Sequence, residues 1–316
     1  MVDTNWLGAV YSLLCVVLQK AKMERKGRCL KEGDFVMKII PAQRITEVVS
    51  RLCIKANRHL PGDVKRCIKR MRDEETWPMA KDGLDKIIDN FNIADSRNMP
   101  VCQDTGMACI FLEIGNDVFV EGDINAAVDK GVRVGYDIGY LRKSVVADPL
   151  RRKNTGDNTP ALLYIDYVHG SSITVTVAPK GFGSENMSRV AMLRPSDGAN
   201  GVIDFVVETV DIAGPNPCPP VVVGVGVGGS FDKAALIAKK ALLRSFEEEN
   251  PDPYYAEMER EILTKVNALG IGPQGFGGRT TALAVAINAM PTHIAGLPCA
   301  VNINCHVARH ATEVID

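Results

Sequence analysis

Residues Pro100–Gly106, read Pro-Val-Cys-Gln-Asp-Thr-Gly, set a thiol, an amide, a carboxylate and a hydroxyl in consecutive positions. The closing glycine then lets the backbone turn away. A thiolate at Cys102 suits a soft metal or a cluster, and Gln103 with Asp104 suits a small polar substrate. Taken alone, the seven residues also describe an ordinary polar turn with a buried cysteine. Two later stretches shift that balance: Asn216-Pro217-Cys218-Pro219-Pro220 and Asn304-Cys305-His306. Prolines on both sides exclude helix around Cys218 and fix its backbone, which aims a thiol rather than burying it. Cys102, Cys218 and Cys305 each sit at a loop or strand end beside Pro, Asn or His. The other six of the nine cysteines lie in helical patterns, in apolar runs or near the N-terminus. The three are roughly a hundred residues apart, unlike the short C-x-x-C of zinc or ferredoxin sites, so local context alone groups them. Three thiolates can hold a cubane cluster and leave one iron without a protein ligand, and an open iron is a Lewis acid toward a hydroxyl.

Two further stretches carry chemistry. Residues 179–186, Pro-Lys-Gly-Phe-Gly-Ser-Glu-Asn, have glycines spaced to let backbone amides approach a ligand, ahead of a helix start that favours an anion. The loop from Leu141 to Asn158 holds Arg142, Lys143, Arg151, Arg152 and Lys153, a basic, polar segment, and an anionic substrate needs such residues. Residues 224–229, Gly-Val-Gly-Val-Gly-Gly, match the G-x-G-x-x-G of dinucleotide sites. No second strand ending in an acidic residue follows, and the glycines sit in a valine-rich run where they can simply permit close packing.

The elements around these residues predict an α/β (mixed α+β) fold: mixed sheets flanked by helices, after an N-terminal helical region. Apolar residues at three- and four-residue spacing predict three helices between Gln43 and Asn92, the second capped by Asp63. A strand is expected over Ala108–Ile114 and a helix from Asp123 to Tyr136. Two strands joined at His169-Gly170 follow, over Leu162–Val168 and Ser172–Val177. Helices are expected over 201–213, 231–246 and 253–269. Strands are expected over 221–227, 281–287 and 300–303, the last delivering Cys305. No internal repeat is visible.

A net charge of -1 provides no basic field for nucleic acid. An odd cysteine count without a short-range framework predicts reduced thiols and a cytoplasmic location. The apolar run Leu7–Leu18 is too short to span a bilayer, and its basic residues follow rather than precede it, so neither an anchor nor a secretion signal is read. Lys31-Glu32-Gly33-Asp34 could be encoded by a purine-rich ribosome-binding sequence just upstream of an ATG for Met37. Residues 1–36 are therefore expected to be a non-native or disordered leader. The body is expected over 37–316, helical from about 41 to 98 and cluster-binding from about 99 to 316.

With the long, ordered motifs around Cys102, Lys180–Asn186, Cys218, Ile271–Gly275 and Cys305, the chain from about Ile45 onward resembles the alpha subunit of class I, iron-sulfur fumarate hydratase. The related L-tartrate dehydratase alpha subunit shares the general pattern. The resemblance implies a hydro-lyase that interconverts fumarate and L-malate on a [4Fe-4S] cluster held by Cys102, Cys218 and Cys305. It implies a dicarboxylate cradle of Gln103, Asp104, Arg142, Gly183 and His293, with Asp104 and His293 in catalytic roles. His306 and His310 carry less weight. The second domain of single-chain members, which supplies the catalytic base, is missing from this chain. A beta subunit is therefore expected in an α₂β₂ assembly, covering Cys102, Arg142 and His293. The competing functions are L-tartrate dehydration and a non-catalytic redox or iron sensor using the same cluster, with dinucleotide-dependent oxidoreduction behind both.

Overall fold

The amphipathic stretch after residue 40 becomes three helices in the computed structural model, which describes residues 37–316. The expected leader lies outside the described residues. After strand β1 (Lys38–Pro41) come α1 (Ala42–Arg58), α2 (Gly62–Glu74) and α3 (Pro78–Arg97). Then follow β2 (Met107–Gly115), β3 (Val118–Glu121), α4 (Ile124–Ile138), β4 (Leu162–Val168) and β5 (Ile173–Lys180). A single turn of helix, α5 (Phe182–Glu185), leads to β6 (Arg189–Leu193), α6 (Gly198–Ala213) and β7 (Val221–Gly229). The chain closes with α7 (Phe231–Ala241), α8 (Pro253–Ala268), β8 (Ala282–Thr292), β9 (Leu297–Asn304) and β10 (Ala311–Ile315). This is the mixed α/β architecture expected from the sequence.

Two four-stranded sheets carry the fold, in the orders β10-β5-β2-β4 and β6-β9-β7-β8. Both wind the same way. A cysteine-bearing turn enters the central strand, β2 or β7, and a helical crossover returns the chain to a parallel edge strand, β4 or β8. A tight turn then sends it back antiparallel along the other side of the central strand, as β5 or β9. The sequence shows no repeat, yet the topology repeats. It also corrects one expectation: β4 and β5 are joined at His169-Gly170 but do not pair, because β2 lies between them.

Helices α1 and α4 cover the first sheet. Ile45, Val49 and Leu52 pack against Ile110, Leu112, Val175 and Val177 in one buried cluster. The two helices cross where α4 carries glycine: a Cβ on Gly131 would stand 2.8 Å from Thr46 O, and one on Gly135 2.7 Å from Ser50 O. In the second sheet β7 is buried almost throughout, as a central strand covered on both faces should be. Its glycines do not form a strand-to-helix phosphate turn. Gly224 and Gly226 lie inside the strand, where a Cβ would stand 2.2 Å from Ala238 O and 2.0 Å from Ala234 O of α7. Close helix–strand packing is what these glycines serve.

Asp63 explains two departures at once. It does not cap α2. Its Oδ2 accepts from Ser245 Oγ and from Phe246 N, both at 2.9 Å. Burial pushes the Asp63 carboxyl up, but these donors outweigh it and hold it below its ordinary value. The chain is captured there in a turn, and α7, expected to reach Phe246, ends at Ala241. Strands β1, β3, β6 and β10 were not anticipated, being four or five residues each. Among the described residues no helix is long and apolar enough to cross a membrane.

Candidate active site

Strand register brings the chemistry-bearing loops together. Met107 pairs with Lys180, so the Cys102 turn before β2 and the Gly181–Asn186 turn after β5 share one end of the first sheet. Asn304 pairs with Val222, so the Cys218 turn before β7 and Cys305 after β9 share one end of the second. The loop from Cys305 to His310 then runs directly into β10, whose Ala311 pairs with Val177 at the Lys180 end of β5. One short loop thereby ties the two ends to each other. His306 Nδ1 donates to Cys218 O at 2.9 Å, which fixes the tautomer and joins the Cys305 and Cys218 loops.

The three cysteines differ from the rest. Cys218 is exposed and Cys102 and Cys305 are half-buried, whereas Cys53, Cys67, Cys109 and Cys299 are buried. Burial alone pushes the thiols of Cys53 and Cys299 up to about 12, and burial, partly offset by the nearby lysines, pushes that of Cys109 up to about 11, so they stay protonated and inert. Burial also raises Cys218 and Cys305, and charge on Cys102 raises both further. Cys218 sits at φ 55°, the left-handed region, and its thiol projects from that bend. No group of three donors among the described residues is arranged around a single metal ion.

The Cys102 turn is braced from every side. Val101 N donates to Asn57 O at 3.0 Å, and Asn90 Nδ2 donates to Val101 O at 2.9 Å. The Asp104 carboxylate accepts from Gly106 N with Oδ1 and from Phe182 N with Oδ2, both at 3.0 Å, pinning the turn to the Gly181–Gly183 segment. Thr105 Oγ1 donates to Arg142 O at 2.8 Å, pinning it to the basic loop. The Tyr136 hydroxyl donates to Thr105 O at 2.7 Å. Asn158 Nδ2 donates to Gly106 O at 3.1 Å, and its Oδ1 accepts from Ser144 N and Val145 N. Gly106, at φ 71°, has no room for a side chain, since a Cβ would stand 2.7 Å from the Lys180 carbonyl. Tyr136 and Asn158 were not anticipated. Both are wholly buried, and nothing local in sequence marks a buried asparagine as a loop clamp.

Gln103, Arg142 and Gly183, expected in the substrate cradle, are exposed around this turn. The Arg142 guanidinium makes no ion pair or hydrogen bond among the described residues, while its backbone is held by Thr105. A Cβ on Gly183 would meet open space, and the first amides of α5 have no partner within the helix. His293 is elsewhere. It is exposed in the turn after β8, and β8 runs parallel to β7 with Thr292 beside Gly229. Within one chain His293 therefore lies a strand length, on the order of 25 Å, from the cysteine end. Ala295 N donates to its Nδ1 at 3.2 Å. A cleft of about 510 Å³ adjoins His306 and Gln274, but Pro78, Met79, Ile87 and Phe276 make its lining largely apolar, unlike a dicarboxylate cradle.

Behind the cysteines lies unexpected buried charge. Glu185 Oε1 accepts from Lys239 at 2.5 Å, and its Oε2 lies 3.2 Å from Lys180 Nζ and 3.0 Å from Asn302 Nδ2. Burial lowers the Lys180 ammonium, and Glu185 partly restores it. Arg309 is 4% exposed. Its Nη2 donates to Asp104 O, while Nε and Nη1 are buried without a partner. A buried guanidinium lacking an anion is what a negatively charged centre on three thiolates would satisfy, so the donor set fits an iron-sulfur cluster.

A family model described as Fumarate hydratase (Fumerase) matches residues 46–314. A Methanocaldococcus jannaschii chain provisionally named L(+)-tartrate dehydratase subunit alpha is 41% identical over 279 residues, 86% of this chain and 98% of that one. The L(+)-tartrate dehydratase subunit alpha of Escherichia coli O157:H7 is 32% identical over 275 residues, 86% of this chain and 91% of its own. The corresponding chain of Escherichia coli K12 is 31% identical over the same length.

Proposed function

The chain belongs to the fumarate hydratase family, and from that premise we propose that it is the alpha subunit of a hydro-lyase acting on a four-carbon dicarboxylate, with fumarate and L-malate as the reacting pair. The observation that supports the reading is that three non-buried cysteines lie in loops at the ends of two sheets joined by one short loop, with the Arg142 backbone tied to the Cys102 turn and its guanidinium without a partner among the described residues. Cys102, Cys218 and Cys305 would hold a [4Fe-4S] cluster, and His306 would hold the Cys218 carbonyl. When bound, the cluster supplies Lewis acidity that helps a hydroxyl depart.

The chain's own residues do the rest. Arg142, whose guanidinium has no partner among the described residues, clamps a carboxylate. Gln103 offers an amide, and the Gly183 amide offers a backbone donor at a helix start. Asp104 holds the Cys102 turn against the Gly181–Gly183 turn. The removal of a carbon-bound proton needs a base that this end of the chain does not offer, and a beta subunit would provide it. Exposed, unpaired Arg142 and Gln103 favour a lyase over a redox sensor, which needs no dicarboxylate cradle.

The names of the relatives favour a second reading in which L-tartrate is dehydrated by the same centre. Anaerobic reconstitution of the chain with its partner, followed by assays of fumarate hydration and L-tartrate dehydration, separates the two. Turnover of neither substrate by a cluster-loaded complex would sink both.

A further inference from the structure

We propose, building on the cluster assignment above, that Arg309 is the buried counter-charge of the three-cysteine centre: a residue that costs the empty chain stability and holds the loaded centre in place. A guanidinium stays charged at any physiological pH, so its burial must be matched by an anion or by well-made hydrogen bonds. Arg309 has one such bond, from Nη2 to Asp104 O, and two buried nitrogens without any. Among the described residues the neighbouring half-buried carboxylates are committed elsewhere, Glu185 to Lys180, Lys239 and Asn302, and Asp104 to the amides of Gly106 and Phe182. Arg309 lies four residues beyond Cys305 in the loop joining the two sheets. Its bonded partner Asp104 lies two residues from Cys102, whose sulfur accepts from Asp104 N at 3.4 Å. The guanidinium is therefore tied to the Cys102 turn from the loop that follows Cys305, with donors to spare.

The consequences have opposite signs in the two states. Without an anion, an unpaired buried charge destabilises the fold. With one, hydrogen bonds and positive charge at cluster sulfurs retain the anionic centre and favour its reduced, more negative form.

The test compares wild type, Arg309→Met and Arg309→Lys as full-length chains. Each is melted without metal and again after anaerobic loading with iron and sulfide. The loss of visible absorbance on exposure to air is followed, and the cluster potential is measured by titration. Arg309→Met is expected to melt at the same or a higher temperature than wild type when empty. Once loaded, it should lose its cluster several-fold faster and titrate at a more negative potential, with Arg309→Lys in between. An empty Arg309→Met that melts lower, with cluster lifetime and potential unchanged, overturns the inference and makes Arg309 a structural brace. The cavity beside it, about 20 Å³ and lined also by Lys180, Lys239 and His310, would then serve it with a single water. Failure of wild type itself to take up a cluster would instead overturn the cluster assignment.

Discussion

At the scale of single residues, exposure separates the three proposed cluster ligands from the buried thiols of Cys53, Cys67, Cys109 and Cys299. Replacing Cys102, Cys218 or Cys305 with Ser should abolish the broad visible absorbance of the reconstituted chain, whereas the same change at Cys53, Cys67, Cys109 or Cys299 should leave it largely intact. Absorbance spectra after anaerobic loading read this directly, and a full cluster in Cys218→Ser would refute the ligand set. Arg142 tests the cradle. Arg142→Ala should keep the cluster spectrum yet lose on the order of 2 kcal/mol in kcat/KM, the scale for removing a charge-assisted bond and stranding its partner. Unchanged kinetics would return Arg142 to the solvated surface.

Elements, rather than side chains, decide how precisely those residues meet. Glu185 sits at the end of α5 and pairs with the buried Lys180 and the half-buried Lys239. Burial pushes its carboxyl up, but Lys180 and Lys239 outweigh burial and hold it below the ordinary 4.5. The folded value lies below the unfolded one, so this carboxylate stabilises the fold above about pH 4.5. That contribution fades as pH falls through the depressed value. Glu185→Gln should cost roughly 3 kcal/mol at neutral pH by stranding these lysines, and should weaken the dependence of stability on acid. Urea titrations across pH would measure both, and a neutral effect at pH 7 would show that the lysines find other partners. The β7–α7 contact is equally strict. Gly226→Val places carbon where the Ala234 carbonyl lies, 2.0 Å from a Cβ, and overpacking of this kind costs about 1–3 kcal/mol or more. A thermal melt indistinguishable from wild type would contradict that packing.

For the whole molecule, the exposed face around Cys102, Gln103, Arg142 and Gly183 is expected to be completed by a second chain. Purified alone, the protein should retain iron and sulfide after loading but hydrate fumarate negligibly, and addition of the beta subunit should restore turnover and slow oxidative loss of the cluster. Full activity from the isolated chain would refute the partner. The position of His293, a strand length from the cysteines, adds a constraint. A partner seated over the cysteine end does not on that account reach His293, so the effect of His293→Ala on kcat should be measured in the assembled complex rather than in the single chain.

The sequence by itself determined the class of fold and most of the helices, and it singled out three cysteines that the structure leaves unburied. Those features are written locally: periodicity marks the helix faces, and prolines, asparagine and histidine mark the loops that hold Cys102, Cys218 and Cys305. Short strands such as β6 and β10 escaped because a five-residue run has no distinctive periodicity and is stabilised by its neighbours. The tertiary structure decided the rest. It showed that Asp63 closes a turn near Phe246, that the G-x-G-x-x-G run is packing, and that His293 stands apart from the site. It also brought Tyr136, Asn158, Lys180 and Arg309 to the cysteine turns from positions far away in the chain. The physical reason is that a buried polar residue takes its meaning from the partner it meets, and strand register across two sheets, not spacing along the chain, sets that partner.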